Sequence, residues 1–143
     1  MQLPYAEPLT VRESGERVVP EPPRRGEDGG EPCGICAGKS TAAVWLASRE
    51  HVDSFSDLSP EAAAAFGPLA ARVERAILGL GDVGRVHLYR WGDGGAHFHV
   101  WFIPRPLGML EASGMMLPLW EDVLPNVTDE ELADAARRIA EAL

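Results

Sequence analysis

Two histidines separated by one residue are the first feature of the chain that could take part in catalysis or metal binding. His97 and His99 follow a glycine-rich stretch at residues 92–95. Side chains alternate between the two faces of a strand, so residues spaced in this way lie on one face. A neutral imidazole can act as a nucleophile, a base or a metal ligand. The alternative interpretation is structural, with two partly exposed histidines beside a hairpin.

The two cysteines of the chain form a second such pair. Cys33 and Cys36 have the spacing of a zinc knuckle. The alternatives are a redox pair and two buried thiols. A thioredoxin-like redox motif follows a strand and begins a helix. Here a segment rich in proline, glycine and charge precedes the pair at residues 20–32, and Gly38 follows it. This context favours metal binding over redox chemistry.

Three short apolar or alternating segments predict the strands that carry these residues. Residues 41–47 are apolar and partly β-branched, while residues 84–91 and 96–103 alternate apolar and polar side chains. The glycine-rich stretch between the last two segments predicts an antiparallel hairpin. Pro104 and Pro106 are expected to end the last strand.

Two segments predict helices. Ser59 as N-cap and Pro60 at the first helical position indicate a helix start. Pro68 is expected to kink or divide this helix, and Gly79 to follow its end. Thr128 and Glu131 form a capping box that starts a C-terminal helix running to Leu143. The apolar face of the first helix comprises Phe66, Leu69, Val73, Ile77 and Leu80.

The elements together predict an α+β fold with an antiparallel sheet, one longer helix and a C-terminal helix. The N-terminal 20 residues suggest a small hairpin with its turn at Ser14-Gly15, and residues 20–32 are expected to form a linker or surface loop. Methionine and tryptophan in residues 109–120 indicate packing or, if exposed, a contact between two copies of the chain.

Length and charge limit the classes of function. The chain has 143 residues, which corresponds to one domain, and a formal net charge of −9, which argues against binding nucleic acid through a basic surface. Residues 1–32 carry seven acids and four bases (net −3), and residues 121–143 carry seven acids and two bases (net −5). No apolar run reaches the roughly 18 residues of a membrane span. With no recognisable signal peptide and only two cysteines, we expect a cytoplasmic protein.

The segment HFHVWFIPR at residues 97–105 resembles the signature of the histidine triad (HIT) family, His-x-His-x-His followed by apolar residues and often Pro-Arg. His97 and His99 match the first two histidines, and Trp101 stands in the place of the third. The preceding parts occur in the family's order: a CxxC pair, a strand ending near His51, a helix, a strand and a glycine-rich turn. The resemblance covers roughly residues 33–106.

The resemblance implies a HIT-like α+β homodimer that hydrolyses or transfers a nucleotidyl group or cleaves a phosphoramidate. By position His99 is the nucleophile that attacks the phosphorus atom. Gly94 and Gly95 would offer backbone N–H groups to phosphate oxygens, and Trp101 would contact the substrate. The expected partner is a small molecule that contains phosphate, such as a nucleotide.

The resemblance also implies a structural zinc ion. Many bacterial members bind zinc through residues that correspond to Cys33, Cys36, His51 and His97, and such a Cys₂His₂ set is closed and tetrahedral. The expected organisation is an N-terminal extension (1–32), a HIT-like core (33–106) and a C-terminal loop with an acidic helix (107–143). A second hypothesis is a non-catalytic, zinc-stabilised module that binds a phosphate-bearing ligand or a protein partner.

Overall fold

A three-stranded antiparallel sheet forms the centre of the protein. The computed structural model describes residues 18–34, 36, 44–112, 114–121, 124 and 126–143. Its strands are β1 (Val44–Ala47), β2 (Val83–Tyr89) and β3 (His99–Pro106), in the order β1-β3-β2. Its helices are α1 (Pro60–Leu78), α2 (Leu117–Glu121) and α3 (Asp129–Ala142). The architecture is mixed α and β with an antiparallel sheet, as the sequence predicts at that level.

Both helix starts follow the predicted capping chemistry. The Ser59 hydroxyl accepts a hydrogen bond from the Ala62 amide at 3.1 Å. At α3, Thr128 and Glu131 form the reciprocal capping box, and the hydrogen bonds that Glu131 accepts from Thr128 lower the pKa of its carboxyl group. These bonds satisfy amide groups that have no partner within the helix.

Pro68 does not divide α1, so that part of the expectation is wrong. The helix continues from Pro60 to Leu78 as one element. Val73 and Ile77, after the proline, belong to a core cluster with Phe98 and Val100. Phe66, before the proline, packs against the same cluster. Packing of both halves against one sheet face outweighs the hydrogen bond that proline removes.

The last strand also differs from its prediction. It begins at His99, continues through Pro104 and ends at Pro106, so the expectation holds for Pro106 and is wrong for Pro104. Pairing with β1 stops at Phe102, and Pro104 pairs only with Val86 of β2. Beyond Phe102 the strand therefore has one edge without a described neighbour. A proline is tolerated there when its missing N–H would face away from the paired strand.

The two faces of the sheet pack against different parts of the chain. Phe98, Val100 and Phe102 lie with α1 and Ile139 of α3 in the main core. The opposite face packs Ile103 against Ala112 and Leu117, with Trp101 at the edge of that second cluster. The predicted alternation along residues 97–103 is therefore confirmed. The hairpin proposed within residues 1–20 and the start of the strand at 41–43 fall largely or wholly outside the described residues.

Candidate metal centre and the adjoining histidine

Four side chains converge at one end of the sheet. The ligand atoms of Cys33, Cys36, His51 and His97 all lie within 4.8 Å of one another. The His97 Nδ1 atom is 3.3 Å from the Cys33 sulfur and 3.4 Å from the Cys36 sulfur. The His51 Nδ1 atom is 3.3 Å from the Cys36 sulfur. Residues predicted to bind one metal ion are therefore brought together from three separate parts of the chain.

Backbone carbonyl groups fix the orientation of both imidazoles. The His97 Nε2 atom is 2.9 Å from the Ser48 carbonyl oxygen, and the His51 Nε2 atom is 3.0 Å from the Gly26 carbonyl oxygen. A carbonyl only accepts, so each Nε2 must carry the proton and donate. The unprotonated Nδ1 of each ring then points at the thiols. Metal-binding histidines are usually held by such outer hydrogen bonds.

The donor set fits zinc. Zinc–sulfur bonds of about 2.3 Å and zinc–nitrogen bonds of about 2.0–2.1 Å in a tetrahedron separate neighbouring ligand atoms by roughly 3.3–3.8 Å. The thiol–imidazole distances of 3.3 and 3.4 Å fall in this range. Two thiols and two imidazoles complete a tetrahedron. The four residues could therefore hold a metal ion such as zinc in a closed, structural site.

Protons compete with a metal at this site. A hydrogen bond with Cys33, together with desolvation, raises the pKa of the Cys36 thiol above its usual value. Zinc binds the thiolate form, so binding must displace this proton. Metal affinity therefore decreases as the pH falls.

His99 lies beside the metal centre, but its ring is hydrogen-bonded through Nδ1, whereas the rings of His97 and His51 are hydrogen-bonded to carbonyls through Nε2. Its Nδ1 atom is 2.6 Å from the His97 carbonyl oxygen. The Nδ1–H group must donate here, so Nε2 carries the free lone pair. The ring is partly buried and makes edge-to-face contacts with Trp45 and Trp101, at centroid distances of 5.6 and 5.8 Å.

Of the three residues predicted to contact the substrate, one lies against His99 in the described structure. Trp101 contacts its ring. Gly94 and Gly95 lie in the turn before β3, and among the described residues the hydrogen bonds and ring contacts of His99 involve neither of them. Gly95 instead forms an isolated bridge with Arg25. Whether this turn binds phosphate therefore stays a prediction.

Several residues that build this region carry no signal in the sequence beyond their local element. The sequence places Trp45 only in a strand, and its place beside His99 follows from its pairing with Trp101 across β1 and β3. Arg24 and Asp53 are joined by an ion pair of 2.6 Å across 29 residues of sequence. No local spacing signals such a contact. Gly26 could have been suspected only as a turn residue.

Comparison with known proteins identifies no relative: no family model, no curated protein and no solved structure matches the chain. Within the part of the chain that the structure describes, no helix combines the length and apolar character needed to cross a membrane.

We predict that freshly purified, reduced protein contains about one zinc ion per chain. Elemental analysis measures this ratio. Cys36→Ser should lower the midpoint of thermal unfolding sharply, because a closed site loses a ligand and metal binding contributes to folding. As a control, a chelator should lower the midpoint of the wild-type protein and leave that of the variant unchanged. Substoichiometric zinc, or a variant as stable as the wild type, would contradict the prediction.

Proposed function

We propose that the protein is a HIT-like enzyme in which His99 attacks a phosphorus atom of a small phosphate-containing molecule such as a nucleotide. The observation that carries this proposal is the 2.6 Å hydrogen bond from His99 Nδ1 to the His97 carbonyl oxygen. It supports a ring whose Nε2 is free to act as a nucleophile near neutral pH. The order of motifs along residues 33–106 supports the same family.

The proposed reaction has two displacements at phosphorus. In the first, the Nε2 lone pair forms a nitrogen–phosphorus bond, and the bond from phosphorus to the leaving group breaks with its electron pair. The imidazole then carries a positive charge, which the hydrogen bond from Nδ1–H to the His97 carbonyl stabilises. In the second, a water oxygen bonds to phosphorus, the nitrogen–phosphorus bond breaks, and a proton is released.

In the proposed enzyme the metal centre has a structural role. Zinc bound by Cys33, Cys36, His51 and His97 would hold the N-terminal segment against the sheet. His97 would be held at Nδ1 and is already hydrogen-bonded at Nε2 to Ser48, and these two contacts would restrict the movement of its backbone carbonyl. That carbonyl orients His99. The expected effect of the metal is therefore on the position of the nucleophile.

Trp101 limits the substrates that this arrangement can turn over. The indole offers a single N–H donor and cannot transfer a proton to a leaving group at neutral pH. It stands beside His99 and packs on Trp45 at a centroid distance of 5.1 Å. General acid catalysis typically contributes about 10²–10⁴-fold to a rate. We therefore propose weak activity, restricted to activated phosphoramidates or fluorophosphates, whose leaving groups depart without an acid from the enzyme.

The same residue favours a second candidate function. If the Trp45–Trp101 pair only completes the packing of this face, the protein is a zinc-stabilised module that binds a phosphate-bearing ligand or a protein partner without catalysis. The two candidates differ in whether His99 forms a bond to phosphorus.

We predict that a nucleoside fluorophosphate is hydrolysed slowly by the wild-type protein and not by His99→Ala. Trp101→His should raise the rate, by up to about 10²–10⁴-fold, because it restores a group able to transfer a proton. Fluoride release measures the rates. His87→Gln is the control, because the ring contact described for His87 is with Tyr89 and not with His99. Equal rates for wild type and His99→Ala, or no turnover, would leave the binding module as the remaining function.

We also propose that the protein is a symmetric homodimer. The segment after β3 exposes large apolar side chains, with Leu110 74% and Met115 71% accessible, while Met116 and Leu117 are buried beneath it. Exposed apolar residues concentrated in one segment are typical of an interface. Light scattering at micromolar concentration should give twice the chain mass of 15.5 kDa. A mass near 15.5 kDa would reject the dimer.

A further inference from the structure

The loop formed by residues 24–31, here called the anchor loop, is fastened to the protein by Arg24. One guanidinium nitrogen of Arg24 lies 2.6 Å from a carboxylate oxygen of Asp53 and 2.6 Å from one of Glu27. Another donates to the Gly92 carbonyl oxygen at 2.7 Å. A single exposed ion pair contributes little, but a guanidinium shared by two carboxylates and a carbonyl is fixed in position.

The backbone of the anchor loop makes two further contacts, both next to metal ligands. The Arg25 carbonyl accepts a hydrogen bond of 2.8 Å from the amide of Ala96, the residue before His97. The Gly26 carbonyl accepts the Nε2–H of His51 at 3.0 Å. One short stretch of chain therefore contacts the ring of one ligand and the backbone that leads into another.

Gly26 lies too close to His51 for a side chain at this position to fit without displacement. Its φ of +91° is a conformation that favours glycine, and a Cβ atom built on it would lie 2.9 Å from the His51 Cε1 atom and 3.3 Å from the Cys33 Cβ atom. A side chain here would displace the His51 ring. Gly29 in the same loop also has a positive φ, +80°, but a Cβ there would be 3.8 Å from its nearest neighbour, Pro23.

We propose that the anchor loop is the outer shell of the metal centre, and that Arg24 and Asp53 are positioning residues for a bound divalent ion such as zinc. Asp53 holds Arg24, Arg24 holds the loop, and the Gly26 carbonyl holds the His51 ring with Nδ1 toward the thiols. The proposal concerns metal binding, so it does not depend on the chemistry proposed for His99. Outer hydrogen bonds of this kind typically change metal affinity about 10–100-fold.

The same contacts couple the position of the anchor loop to metal binding in both directions. If the seated loop strengthens metal binding, bound metal must stabilise the seated loop by the same factor. The peptide bonds after Arg24 and Arg25 are sites at which trypsin reports this state, because a protease needs a locally released chain. Arg137 and Arg138 on α3 provide internal reference sites, since α3 packs on α1 away from the metal ligands.

The direct test is a competition titration of zinc against a chromophoric chelator, with two matched pairs of variants. Gly26→Ala and Gly29→Ala both place a side chain at a positive φ, but only the first contacts His51. Asp53→Asn removes the charge that binds Arg24, whereas Glu31→Gln removes the charge of the exposed Arg25–Glu31 ion pair in the same loop. We expect zinc affinity to fall about 10–100-fold in Gly26→Ala and about tenfold in Asp53→Asn.

The two control variants should stay within about threefold of the wild type. Asp53→Asn and Glu31→Gln proteins with equal zinc affinity would overturn the proposal, as would Gly26→Ala and Gly29→Ala with equal affinity. A wild-type protein that binds no zinc would also overturn it. Loss of phosphorus chemistry in the wild type would not affect it.

Limited trypsin digestion of the wild-type protein keeps the proposal testable if a variant fails to fold. Added zinc should slow cleavage after Arg24 and Arg25 at least about fivefold more than cleavage after Arg137 and Arg138. A zinc effect of the same size at both places would show that the metal stabilises the whole protein and not the anchor loop, and would contradict the proposal.

Discussion

The positions of the candidate metal centre and of His99 both depend on how His97 is held. Its ring uses Nε2 to bond the Ser48 carbonyl and turns Nδ1 toward two thiols, while its backbone carbonyl bonds His99. His97 is buried, with 4% of its surface accessible. A buried imidazole without partners would be costly, and here the Ser48 carbonyl satisfies Nε2 while the two thiols lie against Nδ1, where a metal ion could bind in their company. One residue thereby joins the candidate metal centre to the candidate nucleophile.

The sheet allows these two sites to coexist at the start of one strand. Val100 and Phe102 of β3 point into the core with α1, which fixes the strand's register and therefore the face on which His99 and Trp101 lie. Cys33, Cys36 and His51, which lie outside the named helices and strands, approach His97 just before the same strand. A rigid element thus orients the histidines, and the loops are fastened to it by hydrogen bonds and, in our proposal, by a metal.

The sequence predicted the features that depend on local chemistry. The helix caps at Ser59 and Thr128 follow from hydroxyl groups beside free amides. The four metal-ligand candidates are different, because they come from three parts of the chain and their grouping follows from the resemblance to the HIT family. Other features set by distant contacts were missed or misplaced. The Arg24–Asp53 ion pair has no periodic signal, and the continuation of β3 through Pro104 depends on where its neighbour ends. Local pattern predicts an element, but tertiary packing decides its ends.

His97 and His99 are held in opposite tautomers, and long-range ¹H–¹⁵N correlation spectroscopy of the imidazole nitrogens in the zinc-loaded protein distinguishes them. We expect His97 to carry its proton on Nε2, with Nδ1 bound to the metal, and His99 to carry its proton on Nδ1, with Nε2 free. A spectrum in which His99 is protonated on Nε2, or in which His97 Nδ1 is protonated and unaffected by zinc, would contradict these assignments.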